Sequence, residues 1–164
     1  MNRYRLIAGC GYLAAAALVL SASPAAAATS TATMNVTATV QATCSLSAPA
    51  LAFGTFTGIQ LDAASTLSVS CTSTTPYTIA LNAGTGTGAT IATRKMTGAS
   101  ATLNYTLYSD SGRTTIWGQT TGTDTVAGTG NGSAQSVSVY GRIFGGQLPN
   151  PGAYTDTITA TITY

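Results

Sequence analysis

The 164-residue chain carries little of the side-chain chemistry that catalysis or metal binding requires. It has six Lys and Arg, four acidic residues and no His, and 6% of its residues are charged. A nucleic-acid binder needs a field of cations, a general acid–base enzyme usually needs His, Glu or paired carboxylates, and a metal site needs clustered ligands. The composition therefore predicts a structural or binding protein, not an enzyme, with no cofactor, metal, nucleic acid or small-molecule substrate.

Residues 1–28 have the pattern of a secretory signal peptide. Arg3 and Arg5 precede a mainly apolar stretch, and Ala25 to Ala28 supply the small residues that signal peptidase recognises. Cleavage after Ala28, with Ala27 as the next best site, leaves 136 of the 164 residues, in which four cations balance four aspartates. The residue types of Ile7 to Cys10 also fit a lipoprotein cleavage box, so lipidation of Cys10 is the alternative interpretation.

Two cysteines, Cys44 and Cys71, remain after removal of the signal. An even number of cysteines in an exported chain predicts a disulfide, and two cysteines allow one pairing.

The mature chain shows the period-two alternation of β-strands and no sustained helical period. It is rich in Thr, and Gly clusters divide it. The pattern predicts a β-sandwich, with turns at the Gly-rich runs 84–88 and 128–132. The alternating segments are Leu67–Cys71, Tyr77–Leu81, Leu103–Leu107 and Val137–Tyr140.

Three further features have a structural interpretation. Trp117 and the tyrosines are expected in the core, with a carbohydrate-stacking site as the alternative. The adjacent cations Arg94 and Lys95 are expected in a solvated loop. Tyr154 follows Gly152 at the start of the last strand and is expected to act as a corner tyrosine.

Both ends of the mature chain are long alternating segments. The predicted last strand, 154–164, places Tyr154, Asp156, Ile158, Ala160, Ile162 and Tyr164 on one face and Thr on the other. Residues 31–42 likewise alternate Ala, Met or Val with Thr, Asn or Gln. Soluble monomers avoid such flat, uncharged edge strands. From the pattern, an ordinary first strand paired with the last and a strand meant for another molecule are equally good interpretations.

Several short motifs, in order and spacing, resemble the spore coat protein U domain family, which includes the subunits of archaic chaperone–usher pili. The motifs cover essentially the whole mature chain. They are Leu51 to Phe56, Leu67 to Thr72, Thr75 to Leu81, Leu103 to Tyr108, Arg113 to Gly118, Val139 to Ile143, Pro151 to Asp156, and Tyr164.

The resemblance implies an all-β, incomplete immunoglobulin-like sandwich that lacks its final strand and is completed by a donor strand from another subunit. It assigns residues 29–43 as the donor strand and 44–164 as the pilin domain, with a Cys44–Cys71 disulfide. The implied groove-filling residues are Ala32, Met34, Val36, Ala38 and Val40, and the implied acceptor-groove edge consists of Tyr154, Ile158, Ala160, Ile162 and Tyr164.

The partners implied by the resemblance are identical or related subunits, a periplasmic chaperone and an outer-membrane usher. The implied location is a surface fibre reached through the periplasm, which serves attachment and biofilm formation. The alternative is a secreted coat-like or matrix binding protein whose N-terminal strand folds back into its own groove, leaving a monomer.

Overall fold

The computed structural model describes residues 24–98 and 100–164. The chain divides into two units, Met1–Ala38 and Thr39–Tyr164. Most of the predicted signal peptide, residues 1–23, lies outside the described residues. Residues 24–43 form no strand and are exposed. An isolated strand gains no ladder of hydrogen bonds, so alternation alone does not hold residues 31–42 in a β conformation.

The described residues of the second unit form two antiparallel sheets. The strands are β1 Cys44–Ser47, β2 Leu61–Cys71, β3 Pro76–Leu81, β4 Arg94–Thr97, β5 Thr102–Tyr108, β6 Val126–Thr129, β7 Ala134–Ile143 and β8 Ala160–Thr163. The larger sheet has the order β1-β2-β7-β5-β4 and the smaller has the order β6-β3-β8. None of the described residues forms a helix long and apolar enough to span a membrane.

The core lies between the two sheets and follows the alternation that the sequence predicts. In β2, Leu67, Val69 and Cys71 are buried while their neighbours Ser68 and Ser70 are exposed. Such alternation places one face of each strand against the other sheet. The further buried apolar residues of this core are Tyr77, Ile79, Leu81, Leu103, Tyr105, Leu107, Trp117, Val139 and Ile143.

Trp117 is a core residue, as the composition of a sandwich suggests. Its side chain is 0% exposed, and its indole N–H donates a 2.8 Å hydrogen bond to the carbonyl oxygen of Ile79 in β3. A buried Trp needs such a partner for its N–H. The ring is therefore not available for stacking on a carbohydrate.

The expectation of a solvated loop at Arg94 and Lys95 is wrong. Both residues belong to β4, and Arg94 is 0% exposed. Its guanidinium donates to the carbonyl oxygens of Asn82, Ile91, Leu81 and Trp117 at 2.7–3.2 Å. A cation can be buried when its donors are satisfied in this way. Burial lowers the pKa of Arg94 from its ordinary value.

One of the two Gly-rich runs is not wholly a turn. Gly128 and Thr129 belong to β6, where Gly128 lies opposite Tyr77 of β3. A Cβ at Gly128 would lie 2.5 Å from the Tyr77 ring. Glycine at this position therefore allows the aromatic ring to pack across the strand.

The regular part of the predicted last strand is shorter than the sequence suggests. The ladder with β3 covers only Ala160–Thr163, and the preceding residues are connected to the rest of the domain through a bridge between Thr155 and Thr97. The inward and outward alternation is nevertheless continuous from Tyr154 to Thr163. Residues 154–159 therefore keep the alternating burial of a strand, but they do not form a continuous ladder of backbone hydrogen bonds.

Candidate functional site

An apolar groove of about 390 Å³ opens between the segment that follows β1 and the segment that precedes β8. Residues 48–51 and Phe53 form one wall, and residues 154–158 with Ala160 form the other. The floor consists of core side chains from both sheets, including Leu67, Leu81, Leu107 and Val139. The sandwich thus leaves part of its interior accessible along a line parallel to its last strand.

The groove continues into a wider space of about 700 Å³. Leu51, Phe53, Met96 and Tyr154 line both parts. Leu148, which is 92% exposed, lies at the wide part. The combined groove follows the wall from Ala160 to Tyr154 and beyond.

In the wall formed by residues 154–158 and Ala160, one edge makes backbone hydrogen bonds to neighbouring segments, and these bonds come from odd-numbered residues. Thr155 exchanges two backbone hydrogen bonds with Thr97, at 2.8 and 3.1 Å. Thr159 accepts from the Asn82 N–H and donates to its Oδ1. Because N–H and C=O groups alternate sides along a strand, the even-numbered residues 156, 158 and 160 direct theirs toward the other edge. β8 is correspondingly an edge strand of its sheet.

Asp156 is the hydrogen-bonding centre of the wall. Its Oδ1 accepts from the N–H and hydroxyl of Thr85 and from the N–H of Thr157, at 2.8–3.0 Å. Its Oδ2 accepts a 2.7 Å hydrogen bond from the Tyr105 hydroxyl. Burial, together with the hydrogen bond to Asp156, raises the pKa of Tyr105 above its usual value. The phenol therefore stays protonated and donates to the carboxylate.

Tyr105 also contacts the opposite wall. Its ring makes an edge-to-face contact with Phe53, with the ring centroids 5.9 Å apart. Asp156, Tyr105 and Phe53 therefore form a continuous line of contacts across the groove, from one wall through the floor to the other. Such aromatic pairs favour this geometry.

Tyr154 has the geometry expected of a corner tyrosine. Its hydroxyl donates a 2.7 Å hydrogen bond to the carbonyl oxygen of Asn150, four residues upstream. A Cβ at Gly98 would lie 2.6 Å from the Tyr154 ring, so the ring packs directly on the backbone there. These contacts determine where the wall begins.

A disulfide joins Cys44 and Cys71, the pairing expected from the cysteine count. The two residues lie opposite each other in the ladder between β1 and β2. The bond therefore connects the edge strand β1 covalently to its sheet, immediately before the wall segment 48–53.

The residues expected at the groove edge have different positions. Tyr154, Ile158 and Ala160 line the groove. Ile162 packs against the core instead, and Tyr164 is 57% exposed. The five residues expected to fill a groove are exposed: Ala32, Met34, Val36, Ala38 and Val40.

Sequence reasoning missed the wall formed by residues 48–53 and the hydrogen bonds of Asp156. A signal for Asp156 was present, because it is a charged residue among inward-facing apolar positions. The wall at 48–53 has no regular alternation by which to recognise it.

The fold defines the class of protein: an immunoglobulin-like sandwich that is open beside its last strand. The chain matches the Spore Coat Protein U domain over residues 30–161 and belongs to that family. It is 39% identical over 139 residues to Protein U of Myxococcus xanthus, covering 74% of this chain and 77% of the relative.

A solved structure has the same fold. It is a chain in the CsuC–CsuE chaperone–tip adhesion subunit pre-assembly complex from the archaic chaperone–usher Csu pili of Acinetobacter baumannii. The TM-score is 0.59 and the identity 24%, over 77% of this chain and 40% of that chain. This chain therefore spans less than half the length of the Csu chain.

Proposed function

We propose that this protein is a structural subunit of an extracellular pilus that the chaperone–usher pathway assembles by donor-strand exchange. The observation that carries the proposal is the open groove beside the last strand, whose even-numbered residues direct their backbone groups away from the bonded edge. Residues 29–43 are the donor strand, and the acceptor groove belongs to the domain formed by residues 44–164.

The composition of the donor segment supports this role. Residues 24–61 contain no charged residue, so a strand drawn from them enters an apolar groove without burying a charge. Met34, Val36 and Val40 are 84–87% exposed, and fully burying such side chains stabilises by about 1.5–3 kcal/mol each. An added strand also contributes a ladder of main-chain hydrogen bonds.

Donor and acceptor are different surfaces of the same chain, so the contact is heterologous. A heterologous contact that does not close into a ring propagates into a filament. The near balance of charge in the mature chain removes net repulsion between stacked copies. These properties suit a homopolymer of identical or related subunits.

The remaining partners and the location follow from the same proposal. The Csu structure contains a chaperone with a pilus subunit before assembly. We infer that a periplasmic chaperone covers the groove of this chain and that an outer-membrane usher replaces it with a donor strand. The product is a fibre on the cell surface that serves attachment and biofilm formation and has no enzymatic activity.

Deletion of residues 29–42 tests the proposal. The deleted protein, co-expressed with its chaperone and usher, is expected to bind the chaperone but to form no fibres in electron micrographs. A matched control replaces Thr37 and Thr39, which lie on the other face of the donor, with Ser and retains fibres. Fibres of normal length from the deleted protein would contradict the donor assignment.

The match to the Spore Coat Protein U domain favours one alternative function. In a coat-like or matrix binding protein, the N-terminal strand of each copy folds back into its own groove. Purified mature protein would then refold from denaturant without a chaperone and elute as a monomer in size-exclusion chromatography. A donor-exchanging subunit is expected to elute as oligomers or to aggregate in the same experiment.

A further inference from the structure

The side chains of the groove wall alternate between inward and outward positions, and the inward ones differ in size. Its inward positions are Tyr154, Asp156, Ile158 and Ala160. The carboxylate of Asp156 already accepts hydrogen bonds from Thr85, Thr157 and the Tyr105 hydroxyl. Ala160 has the smallest side chain of the four, a single methyl group.

The proposed donor alternates in size too. Its inward residues are Ala32, Met34, Val36, Ala38 and Val40, so the longest side chain is four residues from one of the smallest. The wall has the same interval, with Asp156 four residues from Ala160. Matching the two patterns fixes how far the donor slides into the groove.

The direction of the donor follows from the rest of the fold. All ladders among the described strands are antiparallel, and antiparallel pairs are slightly more stable per residue than parallel ones. Residues directly opposite each other in such a pair point to the same face. Inward donor residues therefore lie opposite inward wall residues.

Resting on the proposed donor-strand exchange, we propose that Asp156 and Ala160 select a single register for the donor strand of a second copy. Ala38 lies opposite Asp156, and Met34 lies opposite Ala160. Val36 then lies opposite Ile158 and Val40 opposite Tyr154, while Ala32 extends past the groove to Ile162, which packs against the core. The small donor residue then faces the hydrogen-bonded carboxylate, and the long donor residue faces the smallest side chain of the wall.

The neighbouring registers lack this match. A slip of two residues in one direction places Val36 opposite Asp156 and Met34 opposite Ile158. A slip in the other direction places Val40 opposite Asp156 and moves Met34 beyond Ala160 to Ile162. Each slip presses a branched side chain onto the hydrogen-bonded carboxylate and leaves Ala160 facing a smaller residue. Asp156 is thus a specificity-determining residue.

Cysteine cross-linking in assembled fibres tests the register without altering the groove. Thr37 and Thr157 lie opposite each other in the proposed register, at outward-facing positions of their two strands, and both are exposed. They form a non-hydrogen-bonded pair, whose Cα atoms lie about 4.5 Å apart, a separation that a disulfide spans. Full-length chains carrying Thr37→Cys and Thr157→Cys are expected to give a ladder of covalent multimers on a non-reducing gel.

The matched controls move the cysteine of the wall by two residues in either direction. Thr37→Cys combined with Thr155→Cys or with Thr159→Cys places the sulfurs about 6.7 Å further apart along the strand. These pairs are expected to cross-link about tenfold less, because disulfides do not form beyond a Cα separation of about 7 Å. Single-cysteine chains identify any exchange with Cys44 or Cys71.

The outcomes separate this inference from the proposed function. Multimers that form through Thr155→Cys or Thr159→Cys instead would overturn the register while leaving strand exchange in place. Cross-links confined to single chains would contradict donation to a second copy and with it the proposed function. Fibres that assemble normally but cross-link through none of the three pairs would also overturn the register.

A second test exchanges the large side chain of Met34 and the small side chain of Ala160. Met34→Ala and Ala160→Met are each expected to lower the yield of fibres about tenfold, and the double variant to recover most of that loss. Recovery requires that residues 34 and 160 face each other. Losses that simply multiply in the double variant would contradict the pairing.

Discussion

The Tyr105 hydroxyl donates a 2.7 Å hydrogen bond to Oδ2 of Asp156, and this bond joins the floor of the groove to its wall. The other hydrogen bonds that hold the wall before β8 are those from Thr85 to Asp156 and the backbone bonds at Thr155 and Thr159. The Tyr105–Asp156 bond therefore helps to keep the groove in shape before any strand enters it. Such a prearranged site lowers the entropic cost of binding.

Replacement of Tyr105 by Phe removes this hydrogen bond and keeps the ring that contacts Phe53. A hydrogen bond to a charged group contributes about 1.5–3 kcal/mol, so the free energy of unfolding should fall by about that amount. Urea denaturation followed by fluorescence measures the change. Tyr164→Phe, which removes the hydroxyl of an exposed tyrosine, is the control and should change nothing; equal stability of both variants would contradict a role for the bond.

Replacement of Arg94 by Met should destabilise the domain strongly. It leaves four carbonyl oxygens in and around the core without their donors. Loss of a buried, hydrogen-bonded charge or its partners costs about 3 kcal/mol or more. Lys95→Met changes the neighbouring cation in the same strand and should cost no more than about 0.5 kcal/mol. Thermal unfolding of the two variants compares them directly, and similar melting temperatures would argue against the role given to Arg94.

Removal of the disulfide by Cys44→Ser with Cys71→Ser should lower stability by about 3.5 kcal/mol, through the greater entropy of the unfolded chain. The two cysteines are 27 residues apart. The urea midpoint of the wild-type protein should shift to that of the variant when reductant is added. A variant that responds to reductant as the wild type does would show that another bond is responsible.

Asp62 and Arg142 should make the stability depend on pH. Both Asp62 oxygens accept from Arg142, at 2.8 and 2.9 Å, and this hydrogen bonding lowers the pKa of Asp62. The stabilisation is therefore present above the unfolded pKa of about 3.9 and is lost as the pH falls through the lower folded value. Because the pair is partly exposed, we expect it to contribute no more than about 1 kcal/mol.

The measurement for Asp62 is the difference in unfolding free energy between wild type and Asp62→Asn at several pH values. The difference should be largest near pH 7, where the carboxylate is charged, and should shrink below about pH 4. Added salt should reduce it at neutral pH. A difference that stays constant across the acidic range would contradict the ion pair as its source.

Some parts of the site could be predicted from the sequence because they depend on local pattern. The alternation from Tyr154 to Thr163 is visible in the sequence and persists in the structure. Three of the five edge residues that the family resemblance implies also line the groove. The disulfide follows from the cysteine count. Arg94 could not be predicted, because the carbonyl oxygens that satisfy it come from residues 81, 82, 91 and 117, which the fold brings together.

The sequence by itself determined an all-β chain with inward and outward faces, since period-two alternation places successive side chains on opposite sides of a strand. Tertiary structure decided which edges are paired. Hydrogen bonds from Thr97 and Asn82 occupy one side of the last segment, and the irregular residues 48–53 form the facing wall. Pairing depends on distant segments, so no local pattern specifies it. The low charge of the chain is uninformative about the groove, because the side chain with the most hydrogen bonds there, Asp156, is one of its few aspartates.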